Sequence, residues 1–134
     1  MKRGDEVGAK AAAEYFSLLT PYVLATLDTK EWDKMSLKDC NFCAGVSSDV
    51  DKYRNANHHE TGGDVTLKSA SVTVISETSF RVHITASESA SQLVDASGKP
   101  VGSSSPGDLF TLDILLHHED GEWRVRGVGV NEAQ

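Results

Sequence analysis

The spacing of the apolar residues changes once along the chain, directly after Gly63, and this change constrains the fold more than any other feature. Before it, apolar residues recur every three or four positions, the spacing of one helix face. After it, they alternate with polar residues, as in a strand with one buried face. We therefore predict an α+β fold, with helices over about 5–60 and a sheet over about 64–131, in one domain of residues 1–134.

The first helix is predicted over Asp5–Leu27, where several alanines favour helix and the apolar residues form one stripe. Pro21 lacks an amide proton and clashes with the preceding turn. We therefore expect a kink near Thr20, with the helix continuing beyond it. The residues of the stripe are Tyr15, Phe16, Leu19, Val23 and Leu27.

Two further helices are predicted in the N-terminal half. Asp28–Thr29 offers an N-cap for a short second helix, because such side chains accept hydrogen bonds from free amides of the first turn. Ser36 or Asp39 is expected to cap the third helix in the same way. That helix is predicted to end near His58, since the pair Gly62–Gly63 cannot sustain it.

Four antiparallel strands are predicted in the C-terminal half, with a hairpin turn at Asp120–Gly121. The alternation of apolar and polar residues shifts by one position near Ser69 and again after Gly127. Each shift indicates a β-bulge, and two bulges indicate a curved sheet. Ser97–Gly107 is rich in Ser, Gly and Pro and is interpreted as a mobile connection. We predict three helices packed on one face of this four-stranded sheet.

Composition limits the function. Acidic residues outnumber basic ones by 20 to 13, giving a net charge of −7, so binding to nucleic acid or to a bare anionic membrane is not expected. No apolar run approaches the roughly 20 residues that span a bilayer. Met1–Asp5 is not the start of a signal peptide. Two locations stay open: the cytoplasm, or a location outside it for a chain whose leader is missing.

Cys40 and Cys43 are the only cysteines, and four interpretations compete. We favour a structural disulfide, because two helical positions three apart bring their Cα atoms to about 5 Å. A redox-active dithiol at a helix N-terminus is the second interpretation. A zinc half-site with His58 and His59 is the third, although the spacing of these histidines does not fit, and two buried free thiols are the fourth.

The search for catalytic residues gives no assignment. Asp113 lies in the middle of a predicted strand, but it alternates with the apolar residues and is therefore expected on the opposite face of the sheet. Tyr15, Tyr22 and Tyr53 lie on or beside the helical stripes and could face a cavity or pack in the core. No nucleophile elbow, phosphate loop or dinucleotide fingerprint occurs. We therefore expect no cofactor and no metal.

The order of elements and the hairpin Asp120–Val125, with the pattern Asp-Gly-x-Trp-x-Val, resemble the nuclear-transport-factor-two-like superfamily. The resemblance implies a cone-shaped α+β domain that encloses a pocket. Enzymes of that superfamily, such as ketosteroid isomerase-like proteins, use a tyrosine and an acid inside the cone. No acid partner matches by motif, so no catalytic residue is transferred.

The N-terminal half, with Glu14–Phe16, Tyr22–Thr29 and Cys40–Cys43, resembles a family of actinobacterial predicted lipoproteins of unknown function. That family has an Ala-Thr-Gly-Asp-Thr-type turn, where this chain has Leu27 in place of glycine. The resemblance implies a location outside the cytoplasm, with attachment to the membrane through a leader and lipid anchor that this chain lacks.

These observations favour a non-enzymatic module that binds a small apolar ligand or an envelope protein. The alternative is a small cofactor-free enzyme of the ketosteroid isomerase or dehydratase type. A homodimer through the outer sheet face is expected by analogy with the superfamily. The residues predicted to line a ligand pocket are Tyr15, Phe16, Leu19, Tyr22, Trp32, Phe80 and Ile84.

Overall fold

A computed structural model describes residues 4–104 and 107–132. Helices come first and strands follow, as the change of period predicts. The helices are α1 (Glu6–Thr26), α2 (Lys30–Met35) and α3 (Asn41–Ala56). The strands are β1 (His59–Gly62), β2 (Val65–Val74), β3 (Ser79–Glu88), β4 (Ser91–Val94), β5 (Pro100–Ser104), β6 (Gly107–Glu119) and β7 (Glu122–Glu132).

Helix α1 is capped at both ends. The Asp5 carboxylate accepts a hydrogen bond from the amide of Gly8 at 3.0 Å, which satisfies a free donor of the first turn. The helix continues through Pro21, as predicted, while the kink near Thr20 stays a prediction. Leu27 ends the helix in the left-handed conformation, with φ 63°, a conformation that favours glycine.

Helix α3 begins differently from the prediction. Its N-cap is Cys40, whose sulfur accepts a hydrogen bond from the amide of Cys43 at 3.2 Å, so neither Ser36 nor Asp39 caps it. The hydroxyl of Ser36 instead donates to the carbonyl of Trp32 at 2.6 Å, and Ser36 is the residue that ends α2. Asn57, with φ 59°, closes α3 close to the predicted end.

The larger sheet has the order β2-β3-β6-β7, with antiparallel pairing throughout. Both predicted bulges are confirmed. The register skips Lys68 between Leu67 and Ser69 on β2. On β7 it skips Arg126, the residue before Gly127. An extra residue on one strand bends and twists the sheet at that point, so the sheet curves around the helices.

A second sheet, with the order β1-β4-β5, was not predicted. The interpretation of Ser97–Gly107 as a mobile connection is wrong where the structure describes it, because β5 pairs with β4 and β6 begins at residue 107. Ser105 and Pro106 lie outside the described residues. These short strands carry little apolar alternation, and a carboxylate shapes the turn between them: Asp95 accepts hydrogen bonds from the amides of Ser97 and Lys99.

The core lies between the helices and the larger sheet. At its centre the rings of Phe16 and Trp32 stack with centroids 4.2 Å apart and an interplanar angle of 17°. Phe80 meets Trp123 edge-on at 5.3 Å near the turn between β6 and β7. The fully buried large side chains are Phe16, Val23, Trp32, Val50, Val82, Ile84, Ile114, Leu116 and Val125, together with both cysteines.

Candidate functional site

The predicted ligand-pocket residues fall into two groups. Five of them are packed in the core, with exposures of 0–7%, namely Phe16, Leu19, Trp32, Phe80 and Ile84. Tyr15 and Tyr22 point outward and are 37% and 48% exposed. The interior that the resemblance predicts to be a pocket is therefore largely filled by the side chains that were expected to line it.

A cavity of about 120 Å³ remains between α1 and the sheet. Pockets for drug-sized ligands measure roughly 300–1,000 Å³, so this space admits at most a ligand about the size of benzene. Ser17 contributes a hydroxyl to the wall, but that hydroxyl already donates to the carbonyl of Ala13 at 2.8 Å. The lining residues are Phe16, Ser17, Thr20, Phe42, Val65, Glu88, Phe110, Leu112, Ile114, Val128 and Val130.

Among the side chains that the structure describes, Glu88 is the only acidic one in that wall. Burial, and then the nearby negative charge of Glu60, raise its pKa above the ordinary value. The Tyr53 hydroxyl donates a hydrogen bond to Glu60 at 3.2 Å. Burial and the charge of Glu60 raise the pKa of Tyr53 to about 12. Burial thus disfavours the ionised form of both side chains, Glu88 in the cavity wall and Tyr53 on α3.

A larger concavity of about 410 Å³ lies outside the core, where α1 runs into the turn before α2. Its apolar wall is the outer surface of α1, and the carboxylates of Asp28 and Glu31 lie at its end. The Tyr22 hydroxyl donates to Asp28 at 3.3 Å, which ties the helix to this turn. We call it the α1 groove; its lining residues are Tyr15, Leu18, Leu19, Tyr22, Asp28, Lys30 and Glu31.

The groove belongs to a longer apolar stripe on α1. At about 100° per residue, five apolar positions from Val7 to Tyr22 fall within roughly 80° of the helix circumference, on the side away from the core. Val7 is 60% exposed, Leu18 47% and Tyr22 48%, so the stripe is open to solvent. The residues of this outer α1 stripe are Val7, Ala11, Tyr15, Leu18 and Tyr22.

The favoured interpretation of the cysteines is correct: Cys40 and Cys43 form a disulfide, with Cα atoms 5.2 Å apart. Their exposures are 0% and 1%, so neither sulfur meets solvent. The free-thiol and zinc interpretations are therefore wrong for this state, because neither cysteine is a thiol or a thiolate ligand. Among the described residues, no group of three or more His, Cys, Asp or Glu side chains is placed to hold a metal ion.

Sequence reasoning missed one pair of side chains on the outer face of the larger sheet. His83 and Asp113 lie opposite each other on β3 and β6, with Nδ1 and a carboxylate oxygen 2.9 Å apart. Asp113 does face away from the core, as its parity predicts, and the pair is accessible to solvent. The sequence does place both residues at polar positions that alternate with apolar ones, in two consecutive predicted strands, and this could have indicated the pair.

A family model described as a family of unknown function, DUF6318, matches residues 1–129. The chain belongs to this family. Its description names no activity, so membership alone specifies neither a substrate nor a site. Comparison with curated proteins found no match. In the part of this DUF6318 member that the structure describes, none of the helices combines the length with the apolar character that a membrane span requires.

Several solved structures are similar over nearly the whole chain, among them three of different origin. The intermembrane-space region of the chloroplast protein ARC6 is 13% identical with a TM-score of 0.71, covering 98% of this chain and 99% of that one. A Novosphingobium aromaticivorans protein assigned as a scytalone dehydratase is 12% identical with a TM-score of 0.62, covering 96% and 86%. An uncharacterised Caulobacter vibrioides protein with a cystatin-like fold is 13% identical with a TM-score of 0.56, covering 97% and 89%. Identities this low show the shared cystatin-like α+β fold alone.

Proposed function

We propose that this domain is a non-enzymatic protein-binding module of the cell envelope, and that the α1 groove is its binding site. One observation carries the proposal: the interior is filled except for a cavity of about 120 Å³, whereas the outer surface of α1 exposes a continuous apolar stripe. Exposed apolar patches of this kind mark interaction sites in soluble domains. Tyrosine also recurs at binding hot spots, because it adds contact area with few rotatable bonds.

The charges of the groove favour a partner with a basic side chain. Asp28 and Glu31 lie at its end with one basic residue, Lys30, in a chain of net charge −7. A partner segment that places an apolar side chain between Tyr15 and Tyr22, and a Lys or Arg side chain against the two carboxylates, matches both features. Opposite charges at the rim of an interface mainly speed association and fix the orientation of the partner.

The location outside the cytoplasm is part of the same proposal. Disulfides persist in oxidising compartments and are rare where thioredoxin and glutathione keep thiols reduced. The Cys40–Cys43 bond therefore supports an extracytoplasmic domain. The resemblance to actinobacterial lipoproteins adds the expectation of a leader and a lipid anchor in the full-length protein, which would hold the groove at a membrane surface.

Selection of peptides from a random phage-displayed library tests the groove. The enriched peptides are expected to share an apolar residue next to Lys or Arg. Leu18→Lys should abolish their binding by placing a charge in the apolar wall, and Glu31→Lys should weaken it. Val101→Lys is the matched control, because Val101 lies on β5 and is 49% exposed, close to the 47% of Leu18. If the peptides bind the Leu18→Lys variant with the same affinity as the unchanged chain, the binding site lies elsewhere.

A second candidate is a small cofactor-free enzyme of the ketosteroid isomerase or dehydratase type, and one observation favours it. Glu88 lines the interior cavity, and burial raises its pKa. A raised pKa is also typical of carboxyl groups that act as general acids or bases in enzymes. The likeness to a protein assigned as a dehydratase concerns the fold, so it does not identify a reaction.

Titration of the Glu88 side chain by carbon NMR, with and without phenol as a probe of the cavity, tests this candidate. Phenol is expected to change the midpoint of Glu88 and to shift the methyl signals of Val65 and Leu112. The Glu88→Gln variant should also be more stable than the unchanged chain at neutral pH, because the ionised carboxylate is disfavoured in the folded state. This gain should disappear as the pH falls and Glu88 is protonated. An unchanged titration and unshifted methyl signals would exclude the cavity as a ligand site.

A further inference from the structure

One edge strand of the larger sheet, β7, is covered by other parts of the chain, and the other edge strand, β2, is not. The outer side of β7 is covered: Ser36 forms a parallel bridge with Val125, and the amide of Leu37 donates to the Val125 carbonyl at 3.0 Å. The guanidinium of Arg124 also donates to the carbonyl of Lys34 at 2.9 Å. On β2, the other edge, only β3 pairs with the strand among the described residues, while α1 packs on its inner face.

An open edge strand is normally protected by charges, prolines or a bulge, because its free amides and carbonyls can pair with another strand. The first part of β2 has such protection in the bulge at Lys68. The following segment, Ser69–Ser76, has no charged residue, no proline and no glycine. Val74 and Ile75 at its end are 50% and 49% exposed. The edge therefore has no charge or proline to protect it over this stretch, and its end is apolar and exposed.

The segment is complementary to itself. If two copies of β2 pair antiparallel about a two-fold axis at Val72, then Val72 meets its own copy and Ala70 meets Val74 on the inner face. On the outer face, Ser71 meets Thr73. Between Ala70 and Val74, apolar positions therefore meet apolar ones and hydroxyl positions meet hydroxyl ones, as the period of two requires of strands in one continuous sheet. At the two ends of the contact, Ser69 lies opposite Ile75.

The charges that flank the segment support the same pairing. Lys68 precedes the segment and Glu77 follows it, and both side chains are exposed. In the antiparallel arrangement Lys68, at the bulge, lies at the same end of the contact as Glu77 of the second copy, which is in the turn after β2. The two nearest ionised groups at each end of the contact thus have opposite signs. An acidic strand from an unrelated protein would gain only the contact with Lys68.

We infer that the occupant of the open β2 edge is a second copy of this chain, added through Ser69–Ile75 to make an antiparallel eight-stranded sheet. The contact is isologous, so it closes at a dimer instead of propagating. It is distinct from the homodimer through the outer sheet face expected by analogy, because that face remains uncovered. The inference rests on the β2 edge alone and does not depend on the proposed function.

Sedimentation velocity of the full chain over a range of concentrations tests the inference. A monomer–dimer equilibrium is expected for the unchanged chain. Lys68→Glu and Glu77→Lys should each weaken the dimer about fivefold or more, because each creates two like-charged contacts. The double reversal K68E/E77K should restore it. Lys52→Glu is the control, since it makes the same change of net charge on the exposed surface of α3.

Hydrogen exchange provides a second measurement that does not depend on variants. Alternate amides of Ser69–Ile75 should become protected as the chain concentration rises, while amides of the β5 edge should not. A chain that stays monomeric at all concentrations overturns the inference, even if the edge then binds an extended segment of another protein. A dimer that K68E and E77K leave unchanged also overturns it, and so does assembly beyond a dimer.

Discussion

The indole Nε1–H of Trp32 donates a hydrogen bond to the carbonyl oxygen of Cys43 at 3.1 Å. Both groups are buried, and the same indole stacks on Phe16. This contact links α2 to the first turn of α3 and, through the Phe16 ring, to α1. The Cys40–Cys43 disulfide lies in the same turn. The three helices are therefore connected at one place, by the disulfide within the first turn of α3, the Trp32 hydrogen bond and the stacked rings of Phe16 and Trp32.

Replacing Trp32 with phenylalanine should lower the free energy of unfolding by at least about 2 kcal/mol, because it leaves a buried carbonyl without a donor and removes part of a packed ring. Chemical denaturation monitored by circular dichroism measures the change. Tyr22→Phe is the control: it removes an exposed hydroxyl that donates to Asp28, and its effect should stay within about 0.5 kcal/mol. Equal effects of the two substitutions would contradict the role assigned to the Trp32 hydrogen bond.

Replacing both cysteines with alanine should lower the free energy of unfolding by about 2 kcal/mol, since the disulfide closes a loop of only four residues in the unfolded chain. The domain should still fold, because its core does not depend on the bond. The loss of the Cys40 sulfur as N-cap adds to the effect within the first turn of α3. Urea denaturation of the double variant, with intact mass as the check on the thiols, gives the result. A variant that is unfolded in water would show that the bond is essential for folding.

At Leu27, glycine should be more stable than alanine by about 1 kcal/mol, the reverse of their order inside a helix. The reason is that Leu27 has φ 63°, where a Cβ atom is disfavoured. Comparing glycine with alanine separates this backbone effect from the contacts that Leu27 makes with the core, because both variants lose them. The same pair of substitutions at Lys10, within α1, should show alanine as the more stable. Thermal denaturation of the four variants decides the order.

Tyr53 should make the stability depend on pH in the alkaline range. Its folded pKa of about 12 lies above the ordinary 10.0, so the protonated phenol is favoured in the folded state. The contribution of Tyr53 is fully present below pH 10 and is lost as the pH rises towards 12. Tyr53→Phe should lack this part of the alkaline decline. Unfolding free energies measured across this range test it, and parallel declines in both proteins would contradict the assignment.

Much of the fold was predictable because its signals are local. The helical spacing before Gly63, the alternation after it and the two parity switches each reflect which side of a single element is buried. The strands β1, β4 and β5 were missed for the complementary reason. They are short and mostly exposed, so their pairing comes from backbone hydrogen bonds between segments distant in sequence, and side-chain periodicity does not report these bonds.

The order of helices and strands, the positions of the bulges and a cysteine spacing compatible with a disulfide follow from the amino-acid sequence, because period and spacing are properties of single segments. What fills the space between the layers depends on how the elements pack together. Phe16 and Trp32 both belong to apolar stripes, and a stripe predicts burial without telling a packed ring from a cavity wall. Likewise, the periodicity could not say that Tyr15 and Tyr22 lie outside the core and β2 remains an open edge, since both depend on which elements pack beside them.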